Sequence, residues 1–121
     1  MTLVIFETLS ISFCLVLEVT MKKEYKKESE FQADLIREIM HRFPGSYVLK
    51  NDPLYIQGFP DLLVLIGHQW YALECKVDAN ASHQPNQDYY ISDLDRMAFA
   101  RFIYPENVEE VLNEIQSASG S

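Results

Sequence analysis

Apolar residues recur along this chain with two different periods. From Glu28 to Phe43 they fall at Phe31, Leu35, Ile36, Ile39, Met40 and Phe43, three or four positions apart, as on one face of a helix. Pro44-Gly45 stops that helix. Ser46 to Leu49 reads as a strand and Asn51-Asp52-Pro53 as a turn. Leu62 to Ile66 is an unbroken β-prone run, the pattern of a strand covered on both faces. Gly67-His68-Gln69 reads as a hairpin turn, after which Trp70 to Val77 returns as the antiparallel partner. Ala79 to Gln84 is a polar loop. Asn86 to Ala100 predicts a helix that begins after Pro85, with Tyr90, Leu94 and Met97 on one side. Arg101 to Tyr104 is a short strand, and Pro105 a break. Glu106 to Gln116 is an amphipathic helix carrying Val108, Val111, Leu112 and Ile115, and Ser117 to Ser121 a frayed tail. The order α-β-β-β-α-β-α predicts an α/β fold, a mixed central sheet flanked by helices.

A chain of 121 residues with 48% hydrophobic content suits one modest core, expected over residues 21–117 with a tail at 118–121. Residues 1–20 do not fit it. They lack the basic start and the small-residue cleavage site of a secretory signal, and Glu7 and Glu18 leave only ten uncharged residues between them, too few to span a bilayer. They read either as an extension from an upstream start codon, with Met21 the natural start, or as an extra strand (Leu3 to Phe6 or Phe13 to Val19) pairing with the sheet or with another subunit. Cys14 and Cys75, without a CxxC, make neither a disulfide framework nor a zinc site, so a reduced, cytoplasmic setting is expected. Of the scattered histidines His41, His68 and His83, only His83 sits where it could touch a phosphate.

Candidate chemistry lies in the central hairpin. Asp61 is the only charged residue between Gln57 and His68. It opens the first apolar strand, across from the end of the second, where Glu74 and Lys76 share one face and Cys75 points to the other. Two carboxylates and an ammonium at one sheet edge are what metal-dependent phosphodiester cleavage needs: ligands for a hard cation, and a positive group near the attacking water or the scissile phosphate. The bland alternative is a solvated strand face, or a same-face ion pair between Glu74 and Lys76.

Pro60-Asp61 and Glu74-Cys75-Lys76 resemble the two halves of the PD-(D/E)XK nuclease signature. The likeness is greatest to small stand-alone VRR-NUC and Holliday-junction-resolvase-like nucleases of bacteriophages and bacteria. It runs from about Lys22 to about Gln116 and includes Glu28-Ser29-Glu30-Phe31-Gln32, Lys50-Asn51-Asp52-Pro53, Gln57-Gly58-Phe59-Pro60-Asp61 and Pro85-Asn86-Gln87. The resemblance implies a restriction-endonuclease-like core and Mg²⁺ or Mn²⁺ held by Asp61, Glu74 and the backbone carbonyl of Cys75. It further implies Lys76 assisting the nucleophile, with an upstream helical Glu and a downstream Gln completing the site. Branched, flapped or junction DNA as substrate, and a homodimer, are expected on the same ground. The family often has Val or Leu where Cys75 stands, a mild departure if only the carbonyl is used.

For the upstream Glu, helix geometry favours Glu28. At about 100° per residue the apolar stripe centres near Gln32 and Ile39; Glu28 lies one turn before Gln32 on that face, whereas Glu30 points away. A carboxylate and an amide on a buried face need partners, which a metal site at the sheet edge would supply. The alternative is a first-turn Glu favoured by the helix dipole. The downstream Gln is Gln87, expected to hydrogen-bond Lys76 or a phosphate oxygen, or else to be an ordinary exposed helix residue.

Charge argues the other way. The net charge is −8, and without Glu7 and Glu18 it is still −6, whereas DNA binding depends on phosphate neutralisation. The cations are partly concentrated, with Lys22, Lys23, Lys26 and Lys27 before the first helix and Arg37 and Arg42 on it. Much of the acid lies in the final helix, at Glu106, Glu109, Glu110 and Glu114. The competing expectation is a catalytically silent nuclease-fold protein serving a phage as an interaction or inhibitor module.

Overall fold

The computed structural model describes residues 21–22 and 24–120. The proposed N-terminal strands, Cys14 and Lys23 lie outside the described residues. In chain order the elements are α1 (Glu28–Arg42), β1 (Tyr47–Lys50), β2 (Leu62–Ile66), β3 (Gln69–Cys75), α2 (Pro85–Met97), β4 (Ala100–Ile103), a 3₁₀ turn (Pro105–Asn107) and α3 (Val108–Ser119). The strands form one sheet in the order β1-β2-β3-β4. β1–β2 and β2–β3 pair antiparallel, and β3–β4, joined through α2, pair parallel. The architecture is mixed α/β, with the element order expected from the sequence.

The core lies between one sheet face and the apolar stripes of α1 and α3. Phe31, Leu35 and Ile39 of α1 and Val108, Val111, Leu112 and Ile115 of α3 meet Leu62, Val64, Tyr71, Leu73, Cys75 and Ile103, all buried. Met40, expected in the α1 stripe, is 55% exposed, because buried positions four apart from Phe31 carry the stripe away from it. α2 contributes no buried residue to the core, and Met97 at its end is exposed. Its role is positional.

Several boundaries differ from expectation. The two-sided cover assigned to Leu62–Ile66 belongs to β3 instead. Tyr71 through Cys75 are all buried, whereas Leu65 of β2 and Tyr47 and Leu49 of β1 lie exposed on the sheet face that α2 leaves uncovered. α2 ends at Met97 because Phe99 is drawn into the sheet, its carbonyl accepting from the Ala72 N–H at 2.9 Å. The final helix starts later, after a 3₁₀ turn in which the Asn107 side chain accepts from the Tyr104 N–H and donates to the Phe102 carbonyl. It also runs past the expected end at Gln116, through Ser119 to Gly120, a left-handed cap, so that the helix takes in part of the expected tail. Among the described residues no helix is long and apolar enough to cross a membrane.

One-sided burial of β2 has a measurable consequence. Leu62→Ala should cost about 2–5 kcal/mol in denaturant unfolding, as cavity-forming core truncations do. Leu65→Ala, three residues along and so on the opposite, exposed face, should cost less than about 1 kcal/mol. Equal losses would contradict the assignment of faces.

Candidate metal centre

The β2–β3 hairpin sets the site by its register. Leu62 pairs with Leu73, so Asp61 just before β2 stands opposite Glu74. The pairing is fastened across the gap: the Asp61 N–H donates to Glu74 Oε2 at 3.2 Å, and the Cys75 N–H donates to Asp61 Oδ2 at 2.9 Å. The Asn51 N–H closes the β1–β2 loop onto the Asp61 carbonyl at 2.8 Å, and Asn51 Nδ2 donates to the Pro60 carbonyl at 2.7 Å. Glu28, in the first turn of α1, completes the group. Carboxylate oxygens of Glu28, Asp61 and Glu74 all lie within 4.8 Å of one another. Two oxygens bound to one divalent ion are separated by at most about 4–5 Å, so these three residues fit a single ion's shell.

Lys76 and Gln87 form the second half of the site. β3 ends at Cys75, two residues short of expectation, yet the Lys76 N–H still donates to the Ile103 carbonyl at 2.8 Å and keeps the residue on line. Its side chain is buried, and Nζ donates to the Ser82 carbonyl at 3.1 Å and to Gln87 Oε1 at 2.6 Å. Gln87 Nε2 donates in turn to Glu74 Oε1 at 2.8 Å, while Gln87 Oε1 also accepts the Gln84 N–H at 2.9 Å and so caps α2. An amide with one acceptor on the ammonium side and one donor on the carboxylate side fixes both charged groups at once. Of the alternatives open for Gln87, contact with Lys76 is the one present.

The electrostatics follow from that crowding. Burial, and then the Asp61 carboxylate, push Glu74 up to about 8, against a smaller opposing pull from Lys76. Burial raises Asp61 as well, opposed by the Cys75 N–H, by its hydrogen bond with Glu74 and by Lys76. Glu28, at the exposed lip, is raised by partial burial and by Asp61. The cluster is therefore short of positive charge, and the coupled Asp61–Glu74 pair holds a proton more readily than free carboxyls do. A divalent cation would supply what the proton supplies, with more charge.

Cys75 has its side chain in the core, where burial and then the nearby carboxylates push the thiol well above its usual range. A thiol held neutral is no ligand, which leaves this residue only its backbone to offer. Gln32 hydrogen-bonds that thiol, so the inward-facing amide of α1 is met by Cys75 and not by the carboxylate cluster. Glu30 turns away toward Lys22, at 3.9 Å. His83 stacks on Phe102 with ring centroids 3.9 Å apart and pairs with Asp88.

Three contributors escaped sequence reading: the Ser82 carbonyl, the Asn51 clamp and the packing of Gly58. Gly58 has φ +85°, and a Cβ there would stand 2.5 Å from the Asn86 Cβ. Only glycine lets the loop that carries Asp61 close against the first turn of α2, beside Gln87. The isolated Gly before Phe59-Pro60 was the one available signal, and nothing in the pattern announced what it would meet.

Because Glu74, Asp61 and Glu28 bind protons more readily folded than unfolded, the cluster's contribution to the stability of the metal-free protein should be fully present below the ordinary carboxylate range of about 4–4.5. That contribution should be lost as pH rises through about 8, the value to which burial and Asp61 push Glu74. Glu74→Gln should flatten that profile and raise stability at pH 8–9 by on the order of a few kcal/mol, read by denaturation across pH. No family model, curated protein or solved structure matches the chain, so a functional assignment stands on the placement of these side chains alone.

Proposed function

We propose that the protein is an Mg²⁺- or Mn²⁺-dependent nuclease of the PD-(D/E)XK type that hydrolyses DNA phosphodiester bonds. The restriction-endonuclease-like fold is part of this proposal. The observation that carries it is the meeting of Glu28, Asp61 and Glu74 within 4.8 Å, with the Lys76 ammonium joined to Glu74 through Gln87. Three acids and a buried lysine serve no packing purpose together, since each desolvated charge costs stability.

Glu28, Asp61 and Glu74 are the residues that would hold the ion, with the Cys75 carbonyl as a further donor. When bound, the ion supplies an acidified water and offsets charge on the phosphate. Asp61 is aligned for its role by the Cys75 N–H, and Glu74 by Gln87 and by the Asp61 N–H. Lys76 has three N–H donors, two of them spent on Ser82 and Gln87. The third is available to orient the attacking water or to meet the negative charge that grows on the phosphate.

Substrate approach is the electrostatic difficulty for a chain of net charge −8. Arg37 and Arg42 do not help, because Arg37 pairs with Asp34 and Arg42 with Glu109. Among the described residues, Lys26 and Lys27 directly precede Glu28 in the chain, and the charge of Lys50 is felt at Asp61. Binding in the absence of metal is therefore weak and sensitive to salt. The same net charge favours the second reading, a catalytically silent interaction module, for which an ion-binding cluster has no use. A homodimer belongs to the nuclease proposal, and Tyr47, Leu49 and Leu65 offer exposed apolar surface for a second copy.

Labelled linear, flapped and four-way-junction DNA incubated with Mg²⁺ or Mn²⁺ tests the proposal. Cleavage is expected, with Asp61→Asn and Glu74→Gln at least about a hundredfold slower and Gln87→Ala about 10–100-fold slower. Cleavage that survives both acid substitutions, or none by the wild type on any substrate, would overturn the nuclease assignment.

A further inference from the structure

The loop between β1 and β2 displays the most exposed large apolar side chains among the described residues, Leu54 at 92% and Tyr55 at 84%. Adjacent exposed apolar side chains, unlike ones scattered singly, form a patch of the kind that marks an interaction site. The loop is also built to hold its shape. The Leu54 N–H donates to Asp52 Oδ1 at 2.9 Å, the Tyr55 N–H to the Asp52 carbonyl at 3.1 Å, and the Phe59 N–H to the Ile56 carbonyl at 3.2 Å. Its two ends are joined by the Asn51 bonds to Pro60 and Asp61. Its far limb is pinned to α2, where Phe59 packs edge-on against Tyr90 with ring centroids 5.4 Å apart and Gly58 abuts Asn86. An apolar tip is thus carried on an ordered stalk whose base is the metal-binding Asp61.

We infer that Leu54 and Tyr55 stack against unpaired nucleobases beside the scissile phosphate, so that the site selects DNA with a single-stranded segment. This rests on the nuclease proposal and deepens it. The occupant follows from chemistry and from continuity. The loop leads directly into Asp61, and Lys50 at its start lies near enough for its charge to be felt at Asp61, giving a cation for backbone phosphate next to apolar and aromatic surface for base faces. That pairing of cation and π-surface is how single strands are gripped without sequence readout. In a continuous duplex the base faces are covered by their neighbours, so the tip finds a partner only at a flap, gap or frayed end.

The test compares wild type with a Leu54→Ala/Tyr55→Ala double variant on a 5′-flapped duplex and a fully paired duplex of the same sequence, with Mn²⁺. The flap carries 2-aminopurine, whose fluorescence reports stacking, read in parallel with EDTA at low salt. Because both side chains are exposed, the variant is expected to keep the wild-type circular-dichroism spectrum and unfolding midpoint. The wild type should favour the flap, and the variant should lose about tenfold or more of that preference through KM, together with the 2-aminopurine quenching. Equal cutting of flap and duplex by the wild type, or a preference and quenching unaltered in the variant, would overturn the inference while leaving the nuclease proposal intact, and would turn the loop over to a protein partner. If no DNA is cut, the nuclease proposal fails, and the quenching then decides stacking: its absence in the wild type removes that too, and its loss only in the variant sustains it.

Discussion

Repulsion among three carboxylates at one end of a β-hairpin is the constraint around which this molecule is organised. Glu28, Asp61 and Glu74 approach within 4.8 Å in a partly desolvated setting, where like charges interact far more strongly than in water. Left alone, such a cluster would push the hairpin end away from α1. It is retained by backbone N–H groups of Asp61 and Cys75, by the Lys76 ammonium, and by the raised proton affinity of the Asp61–Glu74 pair. Each is a partial substitute for a cation. The tension explains why an amide, Gln87, spans from Glu74 to Lys76 at bonding distance to both.

The fold serves that cluster from three directions. The hairpin register opposes Asp61 to Glu74, and α1 begins where its first-turn Glu28 reaches the same point. α2 buries none of its residues, yet it delivers Gln87 and, through Asn86 and Tyr90, the wall against which the β1–β2 loop rests. A helix that contributes little to the core is thereby tied to the sheet largely through the groups that do chemistry. Stability and function are coupled there, as is usual where polar networks are buried.

Much of this was legible in the chain. Alternation along a strand requires Glu74 and Lys76 to share a face, and a short turn at Gly67-His68 requires Asp61 to return opposite them. Those two inferences needed only local geometry, and the structure brings the three residues together. Helical periodicity likewise brought Glu28 into reach. What local pattern could not carry was tertiary. Leu62–Ile66 reads as doubly covered, but whether a second layer covers an apolar strand depends on where α2 docks, and α2 docks over β3 and β4. Gln32 looked like a partner for the metal site and instead meets Cys75. Arg37 and Arg42 looked like DNA-facing cations, yet their acids, Asp34 and Glu109, claim them. The exposed tip at Leu54 and Tyr55 had no sequence signature, because exposure is a property of what the rest of the chain fails to cover.

The central claim is that the acid cluster exists to bind a divalent cation in exchange for a proton. Calorimetric titration with Mn²⁺ at pH 7, repeated in two buffers of different ionisation enthalpy, measures both halves of that statement. The account predicts one bound ion and release of about one proton, with binding and proton release both lost in Glu74→Gln. No heat of binding, or binding with no proton released, would contradict it.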